Sequence, residues 1–283
     1  MDPTKSIIEI KDLTHTYSSG TPFEHTAVAH IDLSFHPGEL AGIIGHTGSG
    51  KSTLLQHLNG LLKASSGSVV IGDTDITRPG VSMVEIRKKV GLVFQYPEYQ
   101  LFEVSVAKDI AYGPGNLGLS EEEIDLRVRE AMELVGLDYD KFAERSPFEL
   151  SGGQKRSCAI AGVVAMKPDV LILDEPTAGL DPKAHKDVLK MIKEVHERTG
   201  NITVLVSHNM SDIAELADKI LVIDGGRLVT TGTPEEVFSR GDELRSIGLD
   251  LPPITEFCEN LGITDTVLDM EDAVGKIVDL IKK

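Results

Sequence analysis

The sequence predicts an α/β protein with a parallel β-sheet at its centre. Strand-like segments alternate with helix-like segments, which is the order expected when helices connect parallel strands. The run 170–173 is wholly apolar and the run 202–206 is apolar except for Thr203, as expected for strands that are buried on both faces. A glycine-rich stretch at residues 45–52 separates a short apolar run from a helical pattern, and the rest of the chain is organised around it.

Two strand-like segments precede the glycine-rich stretch. Residues 7–17 alternate apolar and polar side chains, which predicts a strand with one buried face. Residues 27–35 predict a second strand, which ends at the turn signal Pro37-Gly38. Further strands are predicted at residues 67–71 and 90–94. We expect the N-terminal part of the chain to form an antiparallel β subdomain beside the parallel core.

The glycine-rich stretch, Gly-His-Thr-Gly-Ser-Gly-Lys-Ser, lies between the strand 40–44 and a helix, as a phosphate-binding loop requires. Its glycines let backbone N–H groups turn toward an anion, and the helix adds the positive end of its dipole. Lys51 can reach the β- and γ-phosphates of a nucleoside triphosphate, and the Ser52 hydroxyl can bind Mg²⁺. A P-loop NTPase (RecA-like) core is therefore favoured over a turn without a ligand. The residues predicted to bind the nucleotide are Gly45, His46, Thr47, Gly48, Ser49, Gly50, Lys51, Ser52 and Thr53.

A mostly helical segment, about residues 98–166, is inserted between the strands. Ser120 and the three glutamates after it predict a capping box, and Gly136 predicts the end of that helix. The motif 151–154, Ser-Gly-Gly-Gln, begins a later helix that Ser151 is suited to cap. Its glycine pair exposes backbone amides at the helix start, which indicates a second anion site. As a lone motif it would more often be an ordinary capped turn.

An acidic pair ends the apolar run 170–173, where ligands bind in open α/β sheets. Asp174 would hold Mg²⁺, directly or through water, and Glu175 would polarise the attacking water. The alternative is a strand-end acid that caps the next turn. The position of the pair downstream of a P-loop favours the catalytic interpretation.

The remaining segments complete the alternation. Helices are predicted at residues 183–198 and 211–217, and a hairpin at residues 219–231 around Gly225-Gly226. From about residue 241 the pattern changes, with helical spacing at 254–261 and 271–281. We expect one domain over residues 1–240, which contains the P-loop, and a small α-rich C-terminal unit over residues 241–283.

Composition limits the function classes. The chain has 283 residues, 41% of them hydrophobic, and a formal net charge of −17, which argues against nucleic-acid binding as its main task. No apolar run approaches the roughly 18 residues of a transmembrane helix, and residues 1–5 lack the layout of a signal peptide. The two cysteines, Cys158 and Cys258, lie far apart and are expected to be buried thiols in a reduced compartment.

Together these motifs resemble the ATP-binding-cassette (ABC) ATPases over about residues 5–240. The resemblance implies that the motif 151–154 is the family signature, which closes over ATP held by the P-loop of a partner subunit in a head-to-tail dimer. It further implies that the loop around Asp181 crosses the dimer interface. The signature residues implied to face the partner's ATP are Ser151, Gly152, Gly153 and Gln154.

Single positions also match the family. Tyr17 fits the aromatic residue that stacks on adenine, although it could simply pack in a strand. Gln95 fits the glutamine that senses Mg²⁺ and water, and His208 fits the histidine that contacts the γ-phosphate. Without the other motifs, Gln95 and His208 would be interpreted as ordinary surface residues. The resemblance thus implies catalysis by Glu175, His208 and Gln95, and a Mg²⁺ site at Ser52, Gln95 and Asp174.

A narrower resemblance begins after Gln95. Residues 95–102 and 109–114 are similar to the ATPases of energy-coupling factor (ECF) transporters, whose Gln-loop carries an extra short helix that docks the membrane coupling subunit. Residues 159–166 and the tail around 249–261 are similar to one of the two paralogous ATPases of these importers. The chain departs from the pattern at residues 155–158, where Ser157 replaces a second basic residue that is common there.

The resemblance implies an ATP-hydrolysing subunit of an ECF importer, bound peripherally at the cytoplasmic face of the cell membrane, that powers uptake of a vitamin or a transition-metal ion. Its implied partners are a second ABC ATPase subunit, a transmembrane coupling subunit and a substrate-binding membrane subunit. A heterodimer with a paralogue is favoured, and a homodimer is possible. The alternatives are the ATPase of a binding-protein-dependent importer, a soluble ABC ATPase without a transport role, and a non-catalytic ATP-binding module.

Overall fold

The structure, a computed structural model, describes residues 7–282. Residues 1–5, where no signal peptide is predicted, lie outside the described residues. The strands are β1 (Ile8–Tyr17), β2 (His25–Phe35), β3 (Leu40–Ile44), β4 (Ser66–Ile71), β5 (Thr74–Asp75), β6 (Val90–Val93), β7 (Val170–Asp174), β8 (Ile202–Val206), β9 (Lys219–Asp224) and β10 (Arg227–Gly232). The α-helices are α1 (Lys51–Leu58), α2 (Met83–Lys89), α3 (Val106–Asn116), α4 (Glu121–Leu134), α5 (Tyr139–Phe142), α6 (Gly152–Val164), α7 (Pro182–Thr199), α8 (Met210–Leu216), α9 (Pro234–Phe238), α10 (Gly241–Ser246), α11 (Pro253–Asn260) and α12 (Met270–Ile281). Two short 3₁₀ helices are Pro97–Gln100 and Pro147–Glu149.

The described strands form two sheets. The first is antiparallel, in the order β2-β1-β4-β5. The second has the order β10-β9-β3-β8-β7-β6, and its strands are parallel except that β10 returns antiparallel to β9. The predicted fold class, a parallel core with an N-terminal antiparallel β subdomain, is confirmed.

The parallel sheet is buried on both faces, and its side chains alternate between two hydrophobic clusters. Ile172 packs with the antiparallel sheet and α1, whereas its neighbours Leu171 and Leu173 pack with the helical segment and α7. Ile43 and Ile44 of β3 divide in the same way. This arrangement explains why the central strands are almost entirely apolar, since neither face meets water.

The helices α3 to α6 lie between β6 and β7 in the chain and form the helical insertion. Ser120 caps α4 by accepting a hydrogen bond from the Glu123 backbone N–H. The predicted capping box is only half formed, because the Glu123 carboxylate pairs with Arg127 one turn later at 2.7 Å. An i,i+4 ion pair on the helix surface here replaces the bond back to the cap.

The C-terminal tail contains α10, α11 and α12. Leu244 of α10 packs in the main core, whereas Cys258, Val267 and Ala273 form a small separate cluster. The domain boundary near residue 241 stays a prediction. Within residues 7–282, no helix is long and apolar enough to cross a bilayer.

Candidate nucleotide site

The P-loop joins the end of β3 to the start of α1. Gly50 is the N-cap of α1 and has φ +105°, a conformation that L side chains rarely adopt. A Cβ at Gly50 would lie 2.3 Å from the carbonyl oxygen of Ala27, so a side chain has no room there. The loop is fixed from the other side because the Gly226 N–H donates to the Ser49 carbonyl at 2.9 Å. Glycine is therefore required at this position by both conformation and space.

Lys51, the first residue of α1, is buried and its side chain folds along the loop. Its ammonium donates to the carbonyl oxygens of Gly45 at 2.6 Å and His46 at 2.9 Å. Burial lowers the pKa of Lys51, and the nearby carboxylates of Glu175 and Asp174 oppose that shift. An ammonium has three N–H donors, so this group can hold the loop and still donate to an anion.

The acidic end of β7 faces the start of α1. The Ser52 hydroxyl donates to Asp174 Oδ2 at 3.2 Å. Burial, and then the neighbouring Glu175 carboxylate, raise the pKa of Asp174, while the Ser52 hydrogen bond and the charges of Lys51 and His208 lower it. One carboxylate and one hydroxyl fit Mg²⁺, which protein sites commonly hold with one or two carboxylates plus substrate phosphates. The described residues contain no cluster of three His, Cys, Asp or Glu side chains that could bind a metal by itself.

The three predicted catalytic side chains meet at one carboxylate. Gln95, just after β6, donates from Nε2 to Glu175 Oε2 at 2.7 Å, and His208 Nε2 lies 2.5 Å from Glu175 Oε1. Glu175 has φ +50°, an uncommon conformation for a residue with a side chain, and its N–H donates to the Val206 carbonyl at 3.0 Å. Neighbouring parallel strands β6, β7 and β8 thus bring these residues together at their carboxyl ends.

Tyr17, at the end of β1, lies beside the P-loop helix. Its hydroxyl is 3.2 Å from the Thr53 hydroxyl, and its side chain is 39% exposed. An aromatic ring with one free face next to a phosphate loop can stack on a base.

The motif 151–154 caps α6 with a complete capping box. The Ser151 hydroxyl accepts from the Gln154 N–H, and Gln154 Oε1 accepts from the Ser151 N–H at 3.0 Å. Gly153 packs beside Ala184 at the start of α7, which Asp181 caps. Among the described residues, no hydrogen bond joins this motif to the P-loop of the same chain.

Arg156 is a site residue that the sequence analysis did not predict, and it is only 1% exposed. Its guanidinium donates to Glu98 Oε1 at 2.9 Å and to the carbonyl oxygens of Pro176 at 2.6 Å and Ala178 at 3.2 Å. It thereby ties the signature helix to the segments after Gln95 and Glu175. The only sequence signal that could have indicated its role was its position just after the motif 151–154, at the start of a helical apolar pattern.

A second unpredicted contact anchors the P-loop itself. His46 Nε2 lies 2.8 Å from Asp224 Oδ1, at the end of β9. An acid at the carboxyl end of the strand that neighbours β3 is the pattern that could have indicated this contact.

Comparison with known proteins agrees with this geometry. The ABC transporter family matches residues 28–178. The chain is 53% identical over 278 residues to a protein of Clostridium tetani named "Energy-coupling factor transporter ATP-binding protein EcfA2", covering 96% of both chains. It is 55% identical over 276 residues to a protein of the same name from Caldanaerobacter subterraneus, again covering 96% of both.

The chain belongs to the ECF transporter ATP-binding proteins of the ABC family. Solved structures agree. The chain resembles cbiO1 from Clostridium perfringens, described as part of the ABC transporter complex cbiONQ, with a TM-score of 0.76 and 36% identity, over 90% of this chain and 99% of that one. It also resembles the ATP-binding cassette MJ0796, solved as a dimer with ADP and Pi, with a TM-score of 0.69 and 28% identity, over 80% and 98% of the two chains. As an ABC ATPase, the chain binds and hydrolyses ATP.

Proposed function

We propose that this ABC ATPase is the motor subunit of an ECF importer and powers the uptake of a vitamin or a transition-metal ion. The observation that carries its catalytic part is the contact of Gln95 and His208 with the Glu175 carboxylate, next to the P-loop. We place the chain peripherally at the cytoplasmic face of the membrane, because its relatives are named as the ATP-binding proteins of a transporter.

The roles of the site residues follow from their chemistry. Backbone N–H groups of the P-loop and the Lys51 ammonium hold the β- and γ-phosphates, and Tyr17 stacks on the base. Glu175 takes a proton from the attacking water, since its carboxylate has further lone pairs beyond those used by Gln95 and His208. His208 then donates to the γ-phosphate.

Mg²⁺ would be held by Ser52 and Asp174, with Gln95 close by. When bound, it supplies neutralising charge at the β- and γ-phosphate oxygens. This chain's own contribution is to keep the Ser52 hydroxyl and the Asp174 carboxylate 3.2 Å apart beside the loop.

The second half of each ATP site comes from another chain. Residues 151–154 present backbone amides and a capped helix N-terminus, but they make no hydrogen bond with their own P-loop. A head-to-tail pair would place this motif over the ATP of the partner, with the loop at Asp181 in the interface. We infer a second ABC ATPase as the partner, a paralogue by preference and a second copy as the alternative.

The surface that follows Gln95 is suited to dock a transmembrane coupling subunit. Tyr99 is 86% exposed on the 3₁₀ helix Pro97–Gln100, and Phe102 and Tyr112 are also exposed, with their rings in edge contact at 4.9 Å. Leu101, which the sequence placed with this surface, is instead buried in the core. Because Glu98 forms an ion pair with Arg156 of α6, a movement of this surface would be transmitted to the helix that begins with the motif 151–154.

The test is a comparison of two single-residue variants of the tagged chain, purified in gentle detergent. Tyr99→Ala should keep the wild-type ATP affinity but recover several-fold less of the membrane subunits, as identified by mass spectrometry, and should support less uptake. The matched control is Phe257→Ala, an exposed aromatic on α11. Equal recovery of membrane subunits and equal uptake for Tyr99→Ala and wild type would refute the docking role.

A further inference from the structure

Two buried histidines lie behind the proposed adenine platform. His15 on β1 is 8% exposed, and His57 on α1 is 1% exposed. The His15 ring meets the Tyr17 ring edge to face, with 4.4 Å between centroids, and meets the His57 ring in the same manner at 4.7 Å. Three rings thus run from the exposed platform into the interior.

The hydrogen-bond partners assign the protons of this pair. His57 Nδ1 is 2.7 Å from the Thr53 carbonyl oxygen, and His15 Nδ1 is 3.0 Å from the Lys63 carbonyl oxygen. A carbonyl oxygen only accepts, so each Nδ1 carries a hydrogen. His15 Nδ1 has a single hydrogen, which it shares between the Lys63 carbonyl oxygen and His57 Nε2 at 3.2 Å, so His57 Nε2 accepts with its lone pair. The hydrogen bond between the rings therefore exists only while His57 is neutral.

The surroundings also favour the neutral form of His57. Burial has the largest effect and lowers its pKa, the backbone of Thr53 raises it, His15 lowers it and the backbone of Lys63 raises it. The charged side chains that line the cavity beside His57 are Lys63, Arg78 and Arg87, all of them cations. A proton on His57 Nε2 would point an N–H at the N–H of His15. The His15 ring would then have to move, and with it the support of the Tyr17 ring.

We propose that His15 and His57 are positioning residues that hold the Tyr17 ring against the base of ATP through a hydrogen bond that requires the His57 imidazole to be neutral. This rests on the proposed function, in which Tyr17 stacks on the base. The Thr53 hydroxyl holds the other end of the Tyr17 ring at 3.2 Å, so the platform is fixed at two points. Protonation of His57 removes one of them and leaves the P-loop contacts in place.

The test measures the ATP dissociation constant by calorimetry at pH 7.5 and at a pH below the midpoint of the His57 ring, which NMR titration of the wild-type chain locates first. In His57→Gln the side chain can donate to Thr53 and accept from His15 but does not titrate in this range. Protonation of the phosphates affects every variant alike, so the comparison between variants isolates the platform. Between the two pH values, the ATP affinity of wild type should fall about fivefold or more further than that of His57→Gln. This factor is the lower end of what base stacking contributes to affinity. The control His36→Gln, an exposed histidine, should follow wild type.

Parallel pH curves for wild type and His57→Gln would overturn the proposal. Tyr17→Ala separates this failure from that of the proposed function: wild-type ATP affinity in Tyr17→Ala would refute the base stacking itself. If His57→Gln does not fold, NMR titration of the His57 ring in the wild-type chain, with and without ATP, tests the proposal instead. Because ATP must then bind the neutral form more tightly, ATP should move the His57 midpoint to lower pH. An unchanged midpoint would overturn the proposal.

Discussion

In the proposed mechanism, replacing Glu175 by Gln removes the general base and changes little else. Glutamine has the same shape, and the P-loop contacts of Lys51 and Ser52 do not involve the Glu175 side chain. Of the two contacts that the carboxylate makes, with Gln95 and His208, an amide can keep one as an acceptor. ATP affinity should therefore stay close to wild type, while the proton of the attacking water has no acceptor.

The expected loss in turnover is about 10²- to 10⁴-fold, the usual contribution of a positioned base. This corresponds to about 3–5 kcal/mol of transition-state stabilisation. The assay is phosphate release at saturating MgATP, with ATP affinity measured separately. Glu215→Gln, on the exposed side of α8, is the matched control and should retain full turnover. Turnover of Glu175→Gln within about threefold of wild type would refute the assignment of Glu175 as the base.

Three further changes test other parts of the structure. Gly50→Ala should abolish ATP binding, because the new Cβ would lie 2.3 Å from the Ala27 carbonyl oxygen; isothermal titration measures this. Arg156→Met should lower the free energy of unfolding by about 3 kcal/mol in urea titrations, because it leaves Glu98 without its partner. The Cys158 thiol should resist alkylation at pH 8 in the native chain and react in denaturant, because burial raises its pKa to about 12.

Each of these changes has a contradicting outcome. Wild-type ATP affinity in Gly50→Ala would mean that the loop can adopt another path. An Arg156→Met variant as stable as wild type would mean that the buried ion pair contributes nothing net to folding. Rapid alkylation of Cys158 in the native state would place this thiol at an accessible position.

The sequence was sufficient for the elements that local pattern determines. The apolar runs before Asp174 and in β8 predicted buried parallel strands, and the structure places both in the middle of the sheet. The glycine loop and the Ser151 cap were predicted because their chemistry depends on neighbours in the chain. Gln95, Glu175 and His208 follow three adjacent strands, so their meeting follows from sheet order.

Contacts between distant segments were not predictable in this way. Arg156 lies in a segment with several polar residues, and only tertiary packing buries it against Glu98, 58 residues away. His15 and His57 are separated by 42 residues and meet because α1 packs beside β1. The burial of Leu101 was also not predictable. An apolar residue in a turn can face either the core or the solvent, and the sequence around the 3₁₀ helix does not decide between them.

The central claim is that residues 151–154 serve the ATP of another chain. Ser151→Arg tests it most directly, because it blocks the motif and leaves the P-loop of the same chain intact. Ser120→Arg, at a helix cap with a similar hydrogen bond, controls for loss of the cap. We predict that Ser151→Arg keeps the ATP affinity of the single chain and reduces the turnover of the assembled ATPase by about 100-fold or more, as expected for the loss of preorganised donors to the transferring phosphoryl group. Turnover equal to that of Ser120→Arg would contradict a composite site.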